Sequence, residues 1–478
     1  MESTSSVPHL AFLAGAWQET ERTFPVRNPA TGKIIVQVAD CGPKEAKQAA
    51  DAVASSFENW KNRTAYERAE ILYHWYQLML AHEESLAHLM AVEMGKPIRE
   101  ARAEVRYAAG FVSWYAEEAK RISGEMVPSQ FANKRLLVIK QPVGPVFAIT
   151  PWNFPAAMIT RKAAPALAAG CTIVIKPAEQ APLSALALAQ LWEEAGGPAG
   201  TLQVLPAENP VPLSEIFFQD ERIRKITFTG STIVGQQLFA QAAETLKRVS
   251  LELGGHAPFL IFEDADLANA VQEVIACKFR NAGQTCVCTN RIYVQERLKE
   301  AFLEQLTQAV QQLRVGDPLQ EETQIGPLVD EQGLKKVQAH MADALEKGAH
   351  LATGGHVRES LYFEPTVLFD VQPGMRLLKE ETFGPVAPVL TFRNEADAIR
   401  LANSTPYGLA AYLWTRDIGR AFRVAEALEY GIVGVNDGLP STPQAPFGGI
   451  KHSGIGREGG KWGIEEYLEI KYLSLALP

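Results

Sequence analysis

Four short runs between residues 146 and 229 set what this chain can fold into. Val146-Phe147-Ala148-Ile149, Thr172-Ile173-Val174-Ile175, Leu202-Gln203-Val204-Leu205 and Ile226-Thr227-Phe228-Thr229 are β-rich and almost continuously apolar. Helix-compatible stretches separate them, Thr160 to Ala169, Leu183 to Ala195 and Val211 to Phe218. A strand apolar on both faces has to be covered on both sides, and the intervening helices supply that cover. The pattern therefore predicts a buried parallel sheet. Ligands of such sheets bind beyond the carboxyl ends of the strands.

A second alternation follows Gly254-Gly255. Strands are expected at Phe259 to Ile261, Arg291 to Val294, Pro365 to Phe369 and Val386 to Leu390, with helices at Asp266 to Phe279, Leu298 to Leu313, Leu334 to Leu345 and Glu395 to Asn403. Residues 9–41 read as short strands and turns. Gly42-Pro43 opens a helix with Ala46, Ala49, Val53 and Phe57 on one face. Thr64 with Glu67 forms a capping box ahead of Ile71, Trp75, Leu78 and Met79. Gly95-Lys96-Pro97 breaks the helical spacing, and an amphipathic run resumes from Ile98 to Ala119. Between Gly124 and Ile139 the pattern turns to alternation, a hairpin arm. Tyr467 to Leu475 reads as one more strand.

Length and charge narrow the class. A chain of 478 residues suits two or three domains and buries a large core without disulfides or metals. The formal net charge of −9 argues against nucleic acid or an anionic membrane as the main partner. No stretch reaches roughly 18 uncharged apolar residues, and Met1 to Pro8 is Ser/Thr-rich without a basic flank, so neither a span nor a signal segment is expected. Five cysteines, sparse and odd in number, suit free thiols in a reducing compartment. The expectation is a soluble cytoplasmic protein. The nine histidines form no ligand-spaced cluster, so no metal site is expected.

Several segments carry chemistry-bearing residues, and each alone has an ordinary alternative. Gly230-Ser231-Thr232-Ile233-Val234-Gly235 follows a strand and opens a helix. It suits a phosphate or is a plain βα turn. Lys176-Pro177-Ala178-Glu179 ends a strand, where Lys and Glu can hold ribose hydroxyls or be a solvated pair. A carboxylate there repels a 2′-phosphate and favours NAD over NADP. In Thr150-Pro151-Trp152-Asn153-Phe154-Pro155, two prolines and an aromatic can fix Asn153 as an oxyanion donor, or simply pack. Glu252, between Leu251 and Leu253 and before two glycines, is either a desolvated base or a buried ion-pair partner. Cys286 ends the polar segment Arg280-Asn281-Ala282-Gly283-Gln284-Thr285, as a nucleophile or a small buried hydrophobe. Cys288, one residue on, can close a reducible loop with it.

Taken in order, Pro-Trp-Asn-Phe-Pro, Lys-Pro-Ala-Glu, Phe-Thr-Gly-Ser, Glu-Leu-Gly-Gly, Gly-Gln-x-Cys, Glu-Glu-x-Phe-Gly-Pro and Pro-Phe-Gly-Gly-x-Lys-x-Ser-Gly resemble the aldehyde dehydrogenase superfamily, from Asn28 to about Tyr472. The resemblance implies an α/β fold with a Rossmann-type cofactor domain (1–122 and 142–252), a second α/β catalytic domain (253–444), and a small β oligomerisation arm with a C-terminal segment (123–141 and 445–478). It also implies Cys286 as nucleophile, with Asn153 and the Cys286 backbone N–H as oxyanion donors. Glu252 activates water and Lys162 relays protons. Lys176 and Glu179 hold the adenine-side ribose; Phe228, Gly230, Ser231 and Gly235 form the pyrophosphate turn; Glu381 and Phe383 clamp the nicotinamide ribose. Thr150, Pro151, Trp152 and Leu253 complete the cofactor lining.

Within the superfamily, Phe-Arg-Asn-Ala-Gly-Gln-Thr-Cys-Val-Cys and Met158-Ile159-Thr160-Arg161-Lys162 resemble succinate-semialdehyde dehydrogenase. That resemblance implies a small anionic aldehyde held by Arg161, Arg280 and Ser441, with NAD as cofactor and NADP as the alternative. Cys288 becomes a redox partner, and the arm builds a homodimer or homotetramer. Glutarate semialdehyde, a neutral or aromatic aldehyde, acyl transfer to CoA, and a silent binding protein on the same scaffold are the alternatives.

Overall fold

The computed structural model describes residues 8–478. The first seven residues of the Ser/Thr-rich start lie outside the described residues. Two large sheets organise the chain. The first has eight strands, and its parallel core runs in the order Arg248–Glu252, Lys225–Thr229, Val146–Ile149, Ile173–Lys176, Leu202–Val204. Antiparallel strands close its edges, Gly454–Ile455 at one side and Ala11–Leu13 with Ala16–Gln18 at the other. The second sheet has seven strands in the order His350–Thr353, Thr366–Phe369, Val386–Phe392, Thr289–Gln295, Ala257–Ile261, Ala410–Trp414, Ile432–Val435. Leu468–Ala476 pairs along Lys134–Pro142, which pairs in turn with Glu125–Val127, to make a separate three-stranded sheet.

The apolar runs form these strands because both of their faces are covered. All four residues of Ile173–Lys176 and all five of Lys225–Thr229 are buried. On one side lies a helical layer whose core includes Trp60, Trp75 and Trp192, packed edge to face at 5.4–6.0 Å. Trp75 also donates its indole N–H to the Leu188 carbonyl at 3.0 Å, so its polar end is satisfied in the core. Truncating it to Ala would cost about 3–5 kcal/mol. The capping box at Thr64 forms in both directions, with Glu67 N donating to Thr64 Oγ1 at 3.2 Å and Thr64 N to Glu67 Oε2 at 2.7 Å.

Among the elements that escaped the sequence pattern are the strands Ala410–Trp414 and Ile432–Val435 and the helix Ile418–Ala427 between them. Alanine-led and glycine-interrupted strands of four or five residues carry little β signal. Ala410–Trp414 pairs with Ala257–Ile261, far away in sequence, and Ile432–Val435 then pairs with Ala410–Trp414. Helix Ala157–Ala169 begins three residues before its expected start, since it is capped from another helix by Glu104.

Parallel register brings the chemistry to one end. Thr229 lies beside Glu252, and Ile149 beside Lys176, at the carboxyl ends of the first sheet. The chain then crosses to the second sheet through Gly254-Gly255. A Cβ on Gly255 would stand 2.4 Å from the Cys286 carbonyl oxygen, so this crossing needs glycine.

Candidate active site

The loop carrying Cys286 is built on an unusual backbone. Helix Leu267–Phe279 stops where Arg280 turns extended (φ −52°, ψ 135°). Asn281, Ala282 and Gly283 then adopt φ of 52°, 54° and 74° in succession. Left-handed residues without a glycine's freedom cost roughly 1–2 kcal/mol each and need outside support. Here Asn281 N donates to Glu100 Oε2 at 2.8 Å, and Asn281 Nδ2 to the Asn153 and Gln284 carbonyls at 3.1 and 3.2 Å. Gln284 returns a bond to the Asn281 carbonyl at 3.0 Å and accepts Val329 N at 2.9 Å. The result is a pinned turn that presents Cys286 to two cavities at once.

The larger cavity, about 470 Å³, lies toward the first sheet. Pro151, Trp152, Asn153, Gly230, Ser231, Leu253, Glu381 and Phe383 line it with Cys286. Trp152 meets Phe383 edge to face at 5.6 Å. Other expected cofactor residues shape it from behind. Phe228 and Leu253 pack together, and a Cβ on Gly230 or Gly235 would strike Phe228 or Leu253 at 2.4 and 2.3 Å. Thr150 is buried at its strand end, its N–H on the Lys176 carbonyl. Lys176 Nζ pairs with Glu179 at 3.1 Å, and Glu179 lines an adjoining cavity of about 690 Å³.

This lining fits a dinucleotide. Ser231 caps helix Thr232–Ala243, so free N–H groups and the helix dipole face the cavity mouth. Among the described residues Glu381 has only Gly255 N as a hydrogen-bond partner, at 3.3 Å, leaving carboxylate oxygen for a ribose hydroxyl. Burial lifts Glu381 to about 7.

The smaller cavity, about 220 Å³, lies on the other side of Cys286. Arg161, Arg280 and Ser441 converge on it, joined by Tyr107, Phe154, Met158, Phe447 and, at its border, Glu100 and Glu104. Arg161 stacks on Phe447 at 3.8 Å, and Arg280 stands over Phe154 at 5.4 Å. Arg161 Nη2 and Arg280 Nε are buried with no hydrogen-bond partner among the described residues. Ser441 Oγ shares a short hydrogen bond with Tyr107 Oη. Buried guanidinium N–H groups without partners are costly, and an anion in this cavity would satisfy them.

Charges behind the cavities tune the reacting groups. Burial pushes the Cys286 thiol up to about 12, Arg161 offsetting part of the effect while Glu381 and Glu252 add to it. The sulfur therefore rests protonated at neutral pH. Burial, then the Glu458 carboxylate, raises Glu252 well above the usual carboxylate range. Its Oε2 has no hydrogen-bond partner among the described residues. Asn153 gives one amide N–H to the Gln284 carbonyl at 3.1 Å.

Sequence reasoning missed Glu458. It pairs with Arg161 at 2.7 Å and with Lys162, both cations nearly fully buried. Lys162 is thereby held on Glu458 and on Thr229 Oγ1 (2.6 Å), and it lines neither cavity. The pattern gave no signal for Glu458, because Gly454–Ile455 reaches the first sheet only in three dimensions. Cys288 is fully buried, with Sγ toward the Gly283 carbonyl at 3.3 Å and Lys278 Nζ at 3.8 Å.

A thiol between a dinucleotide-shaped cavity and one that holds two arginines narrows the possibilities, and comparison decides the family. Residues 17–473 match the aldehyde dehydrogenase family. The chain belongs to the aldehyde dehydrogenase family. It is 54% identical over 471 residues to the NADP(+) succinate-semialdehyde dehydrogenase of Escherichia coli K12, covering 98% of each chain. It is 52% identical over 469 residues to the glutarate-semialdehyde dehydrogenase of Pseudomonas putida KT2440, again over 98% of each. A crystal structure of an NADP-dependent enzyme of E. coli superposes over the whole of both chains with a TM-score of 0.98 and 52% identity. The α/β architecture is thus that of aldehyde dehydrogenases, which use NAD or NADP. Among the described residues no helix is long and apolar enough to cross a membrane.

Proposed function

We propose that the protein oxidises succinate semialdehyde to succinate, with NAD as preferred acceptor. The observation that carries this is the placement of Arg161 and Arg280 around the smaller cavity, with unpartnered N–H groups and the Ser441–Tyr107 hydroxyl pair, on the far side of the Cys286 sulfur. Planar guanidinium groups match a carboxylate's two oxygens. A short chain holding its carboxylate there lays its aldehyde against Cys286.

Cys286 loses its proton to water as it attacks the aldehyde carbon, forming a thiohemiacetal whose oxyanion takes N–H donation from Asn153 and the Cys286 backbone. What a bound nicotinamide dinucleotide supplies is the acceptor for the hydride leaving that carbon. A thioester on Cys286 remains. Glu252 takes a proton from water, the hydroxide adds to the thioester, and succinate leaves as the thiol is restored. The raised affinity of Glu252 for protons suits a base working near neutral pH. Thr150, Pro151, Trp152, Phe228, Gly230, Ser231, Gly235, Leu253, Glu381 and Phe383 hold the dinucleotide, and Lys176 with Glu179 takes its adenine-side ribose. The Glu179 carboxylate repels a 2′-phosphate. Lys162 serves Glu252 and Glu458 by holding charge beside them.

The three-stranded sheet forms the oligomerisation arm. Its strand Leu468–Ala476 leaves one edge unpaired among the described residues and exposes Ile470 and Tyr472 by 70% and 58%, which a second copy would cover in a dimer or tetramer. Cys288 acts as the redox partner of Cys286.

A matrix of NAD and NADP against succinate semialdehyde, glutarate semialdehyde and an uncharged aldehyde tests the reading. We expect the highest kcat/KM for succinate semialdehyde with NAD. Glu179→Ser should raise kcat/KM with NADP about tenfold relative to NAD. A best rate with the uncharged aldehyde would remove the anion-binding assignment, and an unchanged cofactor ratio would remove the Glu179 argument. The P. putida relative favours glutarate semialdehyde as the second reading.

A further inference from the structure

Behind the Asn153 loop lies a buried ion pair that the chemistry above does not use. Lys96, in the break between two helices, and Glu104, on helix Ile98–Ala119, have side chains 0% and 1% exposed and are in direct contact. Burying two charges is costly unless their remaining hydrogen-bonding capacity is met. Here it is met almost wholly by the loop that carries Asn153. Lys96 Nζ donates to the Asn153 carbonyl at 2.8 Å. Glu104 Oε1 accepts Ala156 N at 2.9 Å and Ala157 N at 3.2 Å.

Helix Ala157–Ala169 has no side-chain cap of its own, since Ala156 stands at the N-cap. Glu104 replaces that cap from 52 residues away and sets its negative charge on the positive end of the helix. This helix carries Arg161. Lys96 meanwhile stacks over Phe154 at 3.7 Å and shares the Asn153 carbonyl with Asn281 of the nucleophile loop. The charged groups facing the pair are Glu93, Glu100 and Arg280. The peptide bearing the amide is therefore clamped by an ammonium from one side and by the nucleophile loop from the other.

We propose that Lys96 and Glu104 are positioning residues for oxyanion stabilisation. They hold the backbone of residues 153–157 so that the Asn153 amide points at the carbon attacked by Cys286. The proposal rests on the reading of Asn153 as an oxyanion donor. Lys96 lines neither cavity, and Glu104 borders the smaller one with its carboxylate engaged by Lys96, Ala156 N and Ala157 N, so the expected signature is a loss in kcat shared by all aldehydes with cofactor binding intact. A misplaced oxyanion donor costs on the order of 10²-fold in rate.

The test uses the full-length protein with Lys96→Met, Glu104→Gln and the double variant Lys96→Met/Glu104→Leu. The double change removes both members of the pair, so it avoids the stranded Glu104 that Lys96→Met alone leaves. Thermal melting, NAD affinity, and kcat and KM are measured for succinate semialdehyde and an uncharged aldehyde, alongside Asn153→Ala. We expect the folded double variant to keep NAD affinity within twofold and to lose kcat by about 100-fold for both aldehydes, as Asn153→Ala does. Lys96→Arg should recover part of the rate. A folded double variant with kcat within threefold of wild type, while Asn153→Ala is slow, overturns the positioning role alone. A fast Asn153→Ala overturns the oxyanion assignment and this proposal with it. A loss confined to KM for the anionic aldehyde would place the pair in substrate binding and also overturn the proposal.

Discussion

The Arg161 guanidinium and the Glu458 carboxylate form a 2.7 Å ion pair with side chains only 2% and 6% exposed. The same carboxylate contacts Lys162. One anion thus separates two buried cations, and Glu458 stays ionised because Lys162 and Arg161 together outweigh the effect of burial. Arg161 reaches the smaller cavity with its Nη2 still free among the described residues. The pair fixes the guanidinium plane without consuming the edge that a substrate carboxylate would use.

Glu458→Gln should destabilise the fold by about 3–5 kcal/mol, since it leaves Arg161 and Lys162 buried without their counter-charge. It should also change the pH dependence. Glu458 is a negative neighbour that raises Glu252, so its removal lets Glu252 ionise at lower pH. The limb of kcat that rises with pH should move toward acid. Denaturant melts and a kcat–pH profile check both effects. An unchanged limb in a folded variant would break the link between Glu458 and Glu252.

Arg280 offers a cleaner probe of substrate charge than Arg161, because no ion pair depends on it among the described residues. Arg280→Ala should raise KM for succinate semialdehyde about 10–100-fold, equivalent to losing a charge-assisted hydrogen bond of about 1.5–3 kcal/mol. KM for an uncharged aldehyde should change less than threefold. Steady-state kinetics on both substrates decides it, and equal effects would move the carboxylate site elsewhere.

The parallel core of the first sheet and the segments that line the two cavities were legible in the sequence, for a physical reason. Fully buried strands have to be apolar throughout, and reactive loops have to carry glycine, proline or polar residues at fixed places. Cys286, Glu252 and Arg280 sit in such segments. What was not legible depends on groups far apart in sequence. Glu458 faces Arg161 only after Gly454–Ile455 joins the edge of the first sheet. Tyr107 meets Ser441 across 334 residues. Glu104 caps a helix it does not belong to, which is also why that helix starts earlier than its own residues indicate. The strands Ala410–Trp414 and Ile432–Val435 were lost for a different cause: alanine and glycine dilute their β signal, and pairing with a central strand supplies what propensity lacks.

Cys288 lies two residues from Cys286, the proposed nucleophile, its sulfur turned toward the Gly283 carbonyl. Oxidation by peroxide would join the two sulfurs, with both thiol protons and the peroxide oxygens leaving as two waters, and would require the 285–288 turn to reorganise. We expect peroxide to inactivate the enzyme and dithiothreitol to restore it. In Cys288→Ala the inactivation should become irreversible, because Cys286 then has no thiol partner at hand and passes to higher oxidation states. Recovery of Cys288→Ala by dithiothreitol to the wild-type extent would exclude the disulfide.

Glu252 provides the sharpest separation of steps. Its carboxyl is buried, lies beside Glu458, and binds its proton well above the ordinary range. Only the ionised form can take a proton from water, so thioester hydrolysis should accelerate as pH rises through that raised value and slow as pH falls below it. Glu252→Gln keeps the shape and removes the base. Stopped-flow absorbance at 340 nm should then show a burst of reduced cofactor close to one equivalent per active site, followed by steady turnover slower by about 10²–10⁴-fold. The pH-dependent limb should vanish from the slow phase. Hydroxylamine, which attacks thioesters without a base, should restore turnover in the variant. A variant that loses the burst as well would show that Glu252 is also needed to take the proton from Cys286, whose thiol rests protonated because burial pushes it up to about 12. An unchanged steady rate would transfer the base role to another group.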